Sequence, residues 1–405
     1  MTQSRDRENV IRRKMLQAAA AAVFVTATLA ASIGALGQSA ITPEELQFFT
    51  KSNNAILIDG RTGKSMYEKN ADELISPASM SKIMTQIMVF ERLADKTLTL
   101  DQEVIVSKNA WKKGGAKSGG STMYLEPESR VKIGDLIQGA IIQSANDACI
   151  ALAENIAGSE EAFANLMTFR AREMGLKQAT FTNATGLFHK DHKITVRELA
   201  LLTEYIIRKF PVYYRYYQQR SFTWNNINQP NRNPLLADYP GADGVKTGYV
   251  KESGYGLVGS AVRNGRRLIM VIAGLKSAEE RREEAQKLLD WGFRQFKPYV
   301  AFAAGETIGQ VRVWGGSVGA ATLVARDEVR IALSEEESKQ VKVELSFKGP
   351  LIAPVRKDTE IGKVRFLIDG RPVAEQAVVT GQDIAAVESR WKRALDSLII
   401  MALGG

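Results

Sequence analysis

Ser76-Pro77-Ala78-Ser79-Met80-Ser81-Lys82 places a serine and a lysine three residues apart just behind a proline. Proline costs nothing in a first helical turn, where its missing N–H has no partner to lose, so a helix is predicted from Ser76 to about Ala94. Met80, Ile83, Ile87 and Phe90 or Met88 recur at helical spacing and are expected to face a core. Residues three apart share a helix face, so Lys82 can reach the Ser79 hydroxyl. Unpaired N–H groups at the helix start favour an alkoxide or oxyanion there. The pair reads as nucleophile and base.

Two further fragments complete an acyl-transfer set without histidine: Ser144-Ala145-Asn146 and Lys246-Thr247-Gly248. Ser144 can relay a proton, and Asn146 can hold Lys82 and a substrate amide in register. Lys246 and Thr247 offer a charge and a hydroxyl to a carboxylate, and Lys246 is the neighbouring cation that helps keep Lys82 neutral. Gly248 allows a substrate chain close to the strand edge. The backbone N–H groups of Ser79 and Tyr249 would form the oxyanion hole. Ser129-Arg130-Val131-Lys132 and Ser389-Arg390-Trp391-Lys392 also fit the first spacing, but neither sits behind a helix-start proline.

The 405 residues suffice for two domains. The net charge of +9 suits anionic membranes or cell wall, and no basic stripe interleaved with aromatics supports a nucleic-acid partner. Tyr213–Tyr217 is read instead as a packed helix end beside Pro211. Cys149 is the only cysteine, so no intrachain disulfide forms. His189 and His192 lack a third ligand, so no metal site is expected, and they read as part of a solvated loop. Arg5, Arg7, Arg12, Arg13 and Lys14 precede an apolar run from Met15 to about Gly37, which reads as a secretory signal peptide or a retained anchor.

Ala55–Asp59 and Ser65–Lys69 read as strands, and Gly114–Ser121 as a flexible loop outside the core. Helical patterns cover Ile133–Gln143, Asp147–Ile156 and Glu160–Met174, and Thr195-Val196-Arg197-Glu198 is a capping box. Gly244–Val250, Tyr255–Val262 and Arg267–Ala273 read as strands, with Asn264-Gly265 as a tight hairpin and Ala278–Trp291 as a closing helix. The fold class is therefore α+β, an antiparallel sheet flanked by helices. Short strands follow at Gln310–Trp314, Ala321–Ala325, Val329–Ala332, Val341–Phe347 and Lys363–Ile368, forming a small all-β domain. In the tail, Val387, Trp391, Leu395, Leu398, Ile399 and Ala402 share one helical face opposite Glu388, Lys392, Arg393 and Asp396. That face suits a membrane interface or packing on the β domain. The expected organisation is a leader at 1–37, a catalytic domain at 38–298, the β domain at 299–386 and an amphipathic helix at 387–405.

Together with Ser144–Cys149, Asp243–Tyr249 and Leu288–Phe293, the opening stretch resembles the low-molecular-mass penicillin-binding proteins, serine-type D-Ala-D-Ala carboxypeptidases. The resemblance spans roughly residues 45 to 300 and implies a β-lactamase/penicillin-binding transpeptidase-like fold. It implies Ser79 as acyl nucleophile, Lys82 as base, and Ser144 and Asn146 as relay. Lys246, Thr247, Gly248 and Tyr249 would line the substrate strand, with Arg281 or its neighbour Arg282 helping to bind the terminal carboxylate. The implied partners are peptidoglycan stem peptides ending in D-Ala-D-Ala, β-lactams as acylating inhibitors, and the inner-membrane surface through the C-terminal helix. The implied location is periplasmic, and no cofactor is needed. Ala145 stands where glycine is common in the family, and Thr185 where some relatives carry another polar residue or histidine. Glu173-Met174-Gly175-Leu176-Lys177 faintly echoes a β-lactamase motif but reads as a helix end. D,D-endopeptidase activity would use the same site, and a non-catalytic penicillin- or wall-binding protein is the reading that the intact set opposes.

Overall fold

The computed structural model describes residues 48–389, 391, 393–394 and 396–398. The leader expected at 1–37 lies outside the described residues, as do Lys392, Leu395, Ile399 and Ala402. Five antiparallel strands form the central sheet, in the order Ser65–Lys69, Asn54–Asp59, Arg266–Leu275, Gly254–Arg263 and Ala242–Val250. Successive side chains of a strand point to opposite faces. Ile56, Ile58, Val245, Val258, Ile269 and Val271 therefore join one core, while Leu57, Leu257, Leu268, Met270 and Ile272 join another. The second core is closed by Ala285, Leu288 and Leu289 of the helix Ala278–Gln295. Asn264 and Gly265, both at positive φ, make the predicted hairpin turn.

The helical side is built around Lys82–Ala94, which is buried on nearly every face, as a helix surrounded by others must be. Its start differs from the prediction. Ala78 adopts φ +50°, and the chain passes through a 3₁₀ turn, Ala78–Ser81, before the α-helix begins at Lys82. The predicted helix from Ile133 stops at Gln138 and widens into a π-turn, Gly139–Gln143, that delivers Ser144 at φ +63°. In Gly114–Ser121, Ala116 to Gly120 are exposed, as expected of a loop outside the core, but its first residues are not. Gly114 ends the helix Lys108–Gly114 and is buried against the Asn146–Asp147 backbone. His192 is also buried rather than solvated; its Nδ1 accepts from the Thr182 amide, and burial lowers its pKa to about 4. The Thr195 capping box forms as read, and Tyr214 and Tyr217 are buried as expected of a packed helix end.

The all-β domain has a six-stranded sheet, Lys342–Phe347, Glu360–Ile368, Arg371–Thr380, Ala320–Ala325, Thr307–Trp314 and Leu351–Ile352, plus the pair Lys297–Phe302 and Val329–Leu333. Arg371–Thr380, Lys297–Phe302 and the short helix Glu335–Gln340 were not anticipated. The tail meets this domain through its polar side. Asp396 accepts from the Gly315 amide, Ser397 accepts from the Trp314 indole, and Arg393 lies over the Trp314 ring. Trp391 is left 88% exposed and Leu398 61% exposed. No helix among the described residues is long and apolar enough to cross a membrane.

Lys64, almost fully buried on the catalytic side, donates to Glu337 of the β domain at 2.8 Å. Glu337 also closes the Ser334 capping box, a task glutamine performs equally well. Glu337→Gln therefore keeps the cap and removes only the charge opposite Lys64. The expected cost is about 2 kcal/mol in denaturant unfolding, since a buried ammonium loses its counter-ion. An unchanged midpoint would show that the pair does not hold the two domains together.

Candidate active site

The 3₁₀ turn holds Ser79 half-buried beside the buried Lys82. Lys82 Nζ donates to Ser79 Oγ at 3.0 Å, to Asn146 Oδ1 at 2.8 Å and to the Thr185 carbonyl. Those three acceptors use every N–H of an ammonium; a neutral amine instead has a lone pair that can face the Ser79 hydroxyl. Burial lowers the Lys82 pKa to about 8, with the Arg232 charge acting in the same direction.

Lys246 is equally buried and donates to the Thr247 carbonyl at 3.2 Å. Burial pushes its pKa well down, and the charges of Lys82, Arg232 and Arg281 push it further. Ser144 is buried, and its hydroxyl has no hydrogen-bond partner among the described residues. A non-glycine residue at positive φ with an unspent hydroxyl is poised for a task other than packing. Asn146 opens the helix Asn146–Ala157 and is fixed by its amide bond to the Ser121 carbonyl at 2.7 Å. Beside it, buried Asp147 accepts from Thr122 Oγ1 and from the Met123 and Leu125 amides, which pins the neighbouring segment.

The structure brings Ser79, Lys82, Asn146, Lys246 and Arg281 into one electrostatic neighbourhood, and it separates the two candidate arginines. Arg282 pairs with Asp238 on the surface. Arg281 is partly buried, its Nε has no partner among the described residues, and its charge acts on Lys246. Tyr249 is exposed and packs at a tilt against Tyr255, with the Arg281 guanidinium over the Tyr255 ring. Gly248 has a reason beyond substrate access: a Cβ there would come within 2.8 Å of the Pro77 carbonyl oxygen. Glycine thus lets the strand lie against the Ser79 turn.

Sequence reasoning missed Arg232. It donates to Ser121 Oγ at 2.6 Å and weighs on both buried lysines. Asn231-Arg232-Asn233 resembles an ordinary turn, so no local pattern marks it. Thr185 contributes its carbonyl to Lys82, a backbone role invisible in the side-chain type. Glu173 pairs with Arg170 at 3.1 Å at its helix end, as the structural reading expects. Cys149 is fully buried, and burial raises its thiol to about 11, which keeps it protonated.

A serine–lysine acyl-transfer pocket on a helix-flanked antiparallel sheet, ringed by cations, defines the penicillin-binding class of serine peptidases. The family profile for D-alanyl-D-alanine carboxypeptidase (peptidase S11) matches residues 40–277, and that for the C-terminal domain of penicillin-binding protein 5 matches residues 296–386. The chain belongs to the D-alanyl-D-alanine carboxypeptidase family. It is 38% identical to Escherichia coli D-alanyl-D-alanine carboxypeptidase DacC over 332 residues, covering 81% of this chain and 83% of that one. It is 34% identical to Bacillus subtilis DacF over 340 residues, covering 82% and 86%. Penicillin-binding protein 5 of Haemophilus influenzae superposes with a TM-score of 0.73 at 33% identity, covering 84% of this chain and 99% of that one.

Gly186 follows the carbonyl that receives Lys82, sits at φ +79°, and would drive a Cβ into the Ala78 carbonyl. Gly186→Ala is expected to lower stability by about 2 kcal/mol in denaturant unfolding. A midpoint equal to the parent's would mean that this turn is not clamped against the Ser79 segment.

Proposed function

We propose that the chain removes the terminal D-alanine from peptidoglycan pentapeptide stems through an acyl-enzyme at Ser79. The observation that carries this reading is Lys82 Nζ at 3.0 Å from Ser79 Oγ, beside a buried Lys246 on which the charges of Lys82, Arg232 and Arg281 all act. Lys246, Thr247 and Arg281 take the substrate's terminal carboxylate. Neutral Lys82 accepts the Ser79 proton as Oγ attacks the penultimate D-alanine carbonyl, and the backbone N–H groups of Ser79 and Tyr249 stabilise the oxyanion. Ser144, whose hydroxyl has no partner among the described residues, hands its proton to the leaving amine as the C–N bond breaks and takes up the proton that Lys82 accepted, so that Lys82 is neutral again. Water then attacks the ester as neutral Lys82 accepts its proton, and Lys82 passes that proton to Ser79 Oγ as the ester opens. A β-lactam enters by the same attack on its ring amide, but its leaving nitrogen stays tethered.

D-Alanine release from a peptide ending in D-Ala-D-Ala tests the reading. Ser79→Ala is expected to abolish release. In the parent, kcat/KM is expected to rise with pH and level off above about 8, because below that Lys82 is protonated and has no lone pair to offer. Release that survives in Ser79→Ala, or that falls as pH rises through this range, would contradict the assigned roles.

Export and attachment to a membrane surface belong to the same proposal. The basic start with its apolar run supports export. Docking of the tail through Arg393, Asp396 and Ser397 leaves Trp391 and Leu398 outward, where an interface can take them. Co-sedimentation with anionic vesicles is expected for the chain and is expected to drop at least severalfold in a Trp391→Ser/Leu398→Ser variant. Equal sedimentation of both would remove the tail as the anchor.

A further inference from the structure

A second concave site lies between the central sheet and the β domain, a cavity of about 580 Å³ that shares no residue with the serine site. The Asn264-Gly265 hairpin turn forms part of its wall, and the strand register puts that turn at the opposite end of the sheet from Tyr249. Arg263 lies five positions beyond Val258, the partner of Lys246, so the two sites are about 17 Å apart along the strand. The cavity is lined by arginines from both domains, and Asp59 is the only carboxylate residue in its wall. Asp59 Oδ1 serves its own turn, accepting from the Arg61 and Thr62 amides and the Thr62 hydroxyl, and the Asp59 charge offsets part of the cost of burying Arg266.

Some of these cations have structural partners. Arg263 pairs with Asp290, Arg267 with Asp243 and Arg330 with Glu328. Three others form no ion pair among the described residues. Arg61 donates only to the Glu328 carbonyl, Arg266 only to carbonyls at the end of the helix Ala278–Gln295, and Lys297 is exposed at the rim. Burial holds the Arg266 guanidinium below its ordinary pKa, so its charge is poorly hydrated. Like charges gathered around a low-dielectric hollow repel one another and focus potential into it, which an incoming anion relieves. Phe293, Phe296 and Ile331 supply an apolar side, and the volume far exceeds that of one inorganic ion.

We infer that this cavity binds an organic polyanion, a compact ring or sugar carrying two or more phosphate groups, with its oxygens on Arg61, Arg266 and Lys297. Guanidinium forks match phosphate oxygens in pairs, and two phosphate monoesters about balance three unpaired cations. Arg61 donates to the Glu328 carbonyl and Arg330 to the Gly265 carbonyl, so both already join the two domains beside the cavity. An occupant would fasten that joint.

Isothermal titration of the full chain with inositol hexakisphosphate tests the site, with inorganic phosphate as the small comparator. Saturable binding that weakens with salt is expected, with the comparator weaker. Arg61→Glu/Lys297→Glu changes two exposed residues outside the serine site, so D-alanine release should persist while probe affinity falls at least about tenfold. A Lys297→Glu single variant, expected to weaken binding severalfold, covers any folding defect of the pair. Displacement of the probe by phosphatidic acid vesicles would assign the phosphate to a lipid, and displacement only by a soluble sugar bisphosphate would assign it to a solute; each supports the site. Absence of probe binding, or equal affinity in parent and variants, would overturn it.

Discussion

A buried pocket tolerates few uncompensated charges of one sign, and the catalytic half of this molecule is organised around that limit. Lys82 and Lys246 are both almost wholly buried, and neither forms an ion pair among the described residues. Burial disfavours each ammonium, and the charge of Lys82 makes Lys246 harder still to protonate. Arg232 and Arg281, which cannot give up a proton, fix the sign of the field. A substrate carboxylate changes the balance unequally. Under the proposed roles it gives Lys246 and Arg281 the counter-charge they lack, while Lys82 stays enclosed by Ser79, Asn146 and the Thr185 carbonyl. Recognition of the chain end and readiness of the base are thus set by one electrostatic constraint, with no histidine required.

Such a pocket closes only if three separate backbone segments approach within van der Waals contact. The Ser79 turn is pressed from one side by the strand at Gly248 and from another by the turn at Gly186. The segment after Ser121 is tied down by Asp147, the residue next to Asn146. The helix Lys82–Ala94 could not carry its lysine into the interior if its flanks were polar, and its continuous apolar surround is what allows the burial. Packing therefore acts on the chemistry through pKa as well as through position.

The parts visible in the sequence were those with local causes. A proline before the serine, spacings of three residues, the Thr195 capping box and the Asn264-Gly265 turn each encode a geometry within a few residues. The parts that escaped are set by distant contacts. Ala78 takes positive φ only because the turn is squeezed between two other segments, and the π-turn before Ser144 follows no residue-type rule. Arg232 belongs to the site because its turn happens to lie over Ser121. His192 is buried by partners ten residues away, although its neighbours are polar. In the β domain, Arg371–Thr380 has Pro372 near its start and no clean alternation, and Glu335–Gln340 is almost wholly polar. Neither offers an apolar period to read.

The strand register gives the molecule a direction. Lys246, Thr247 and Tyr249 lie toward one end of the Ala242–Val250 strand, while Arg263 and Arg266 flank the turn at the other end of the sheet. The β domain is joined near that second end, through Arg330 on the Gly265 carbonyl, Arg61 on the Glu328 carbonyl and Lys64 on Glu337. The charges proposed to receive a substrate are therefore separated, along the same strands, from charges that hold the two domains together. The separation matters because an arginine-rich joint beside the lysines would depress their proton affinity further, whereas several strand residues of intervening apolar core leave each cluster with its own electrostatic setting.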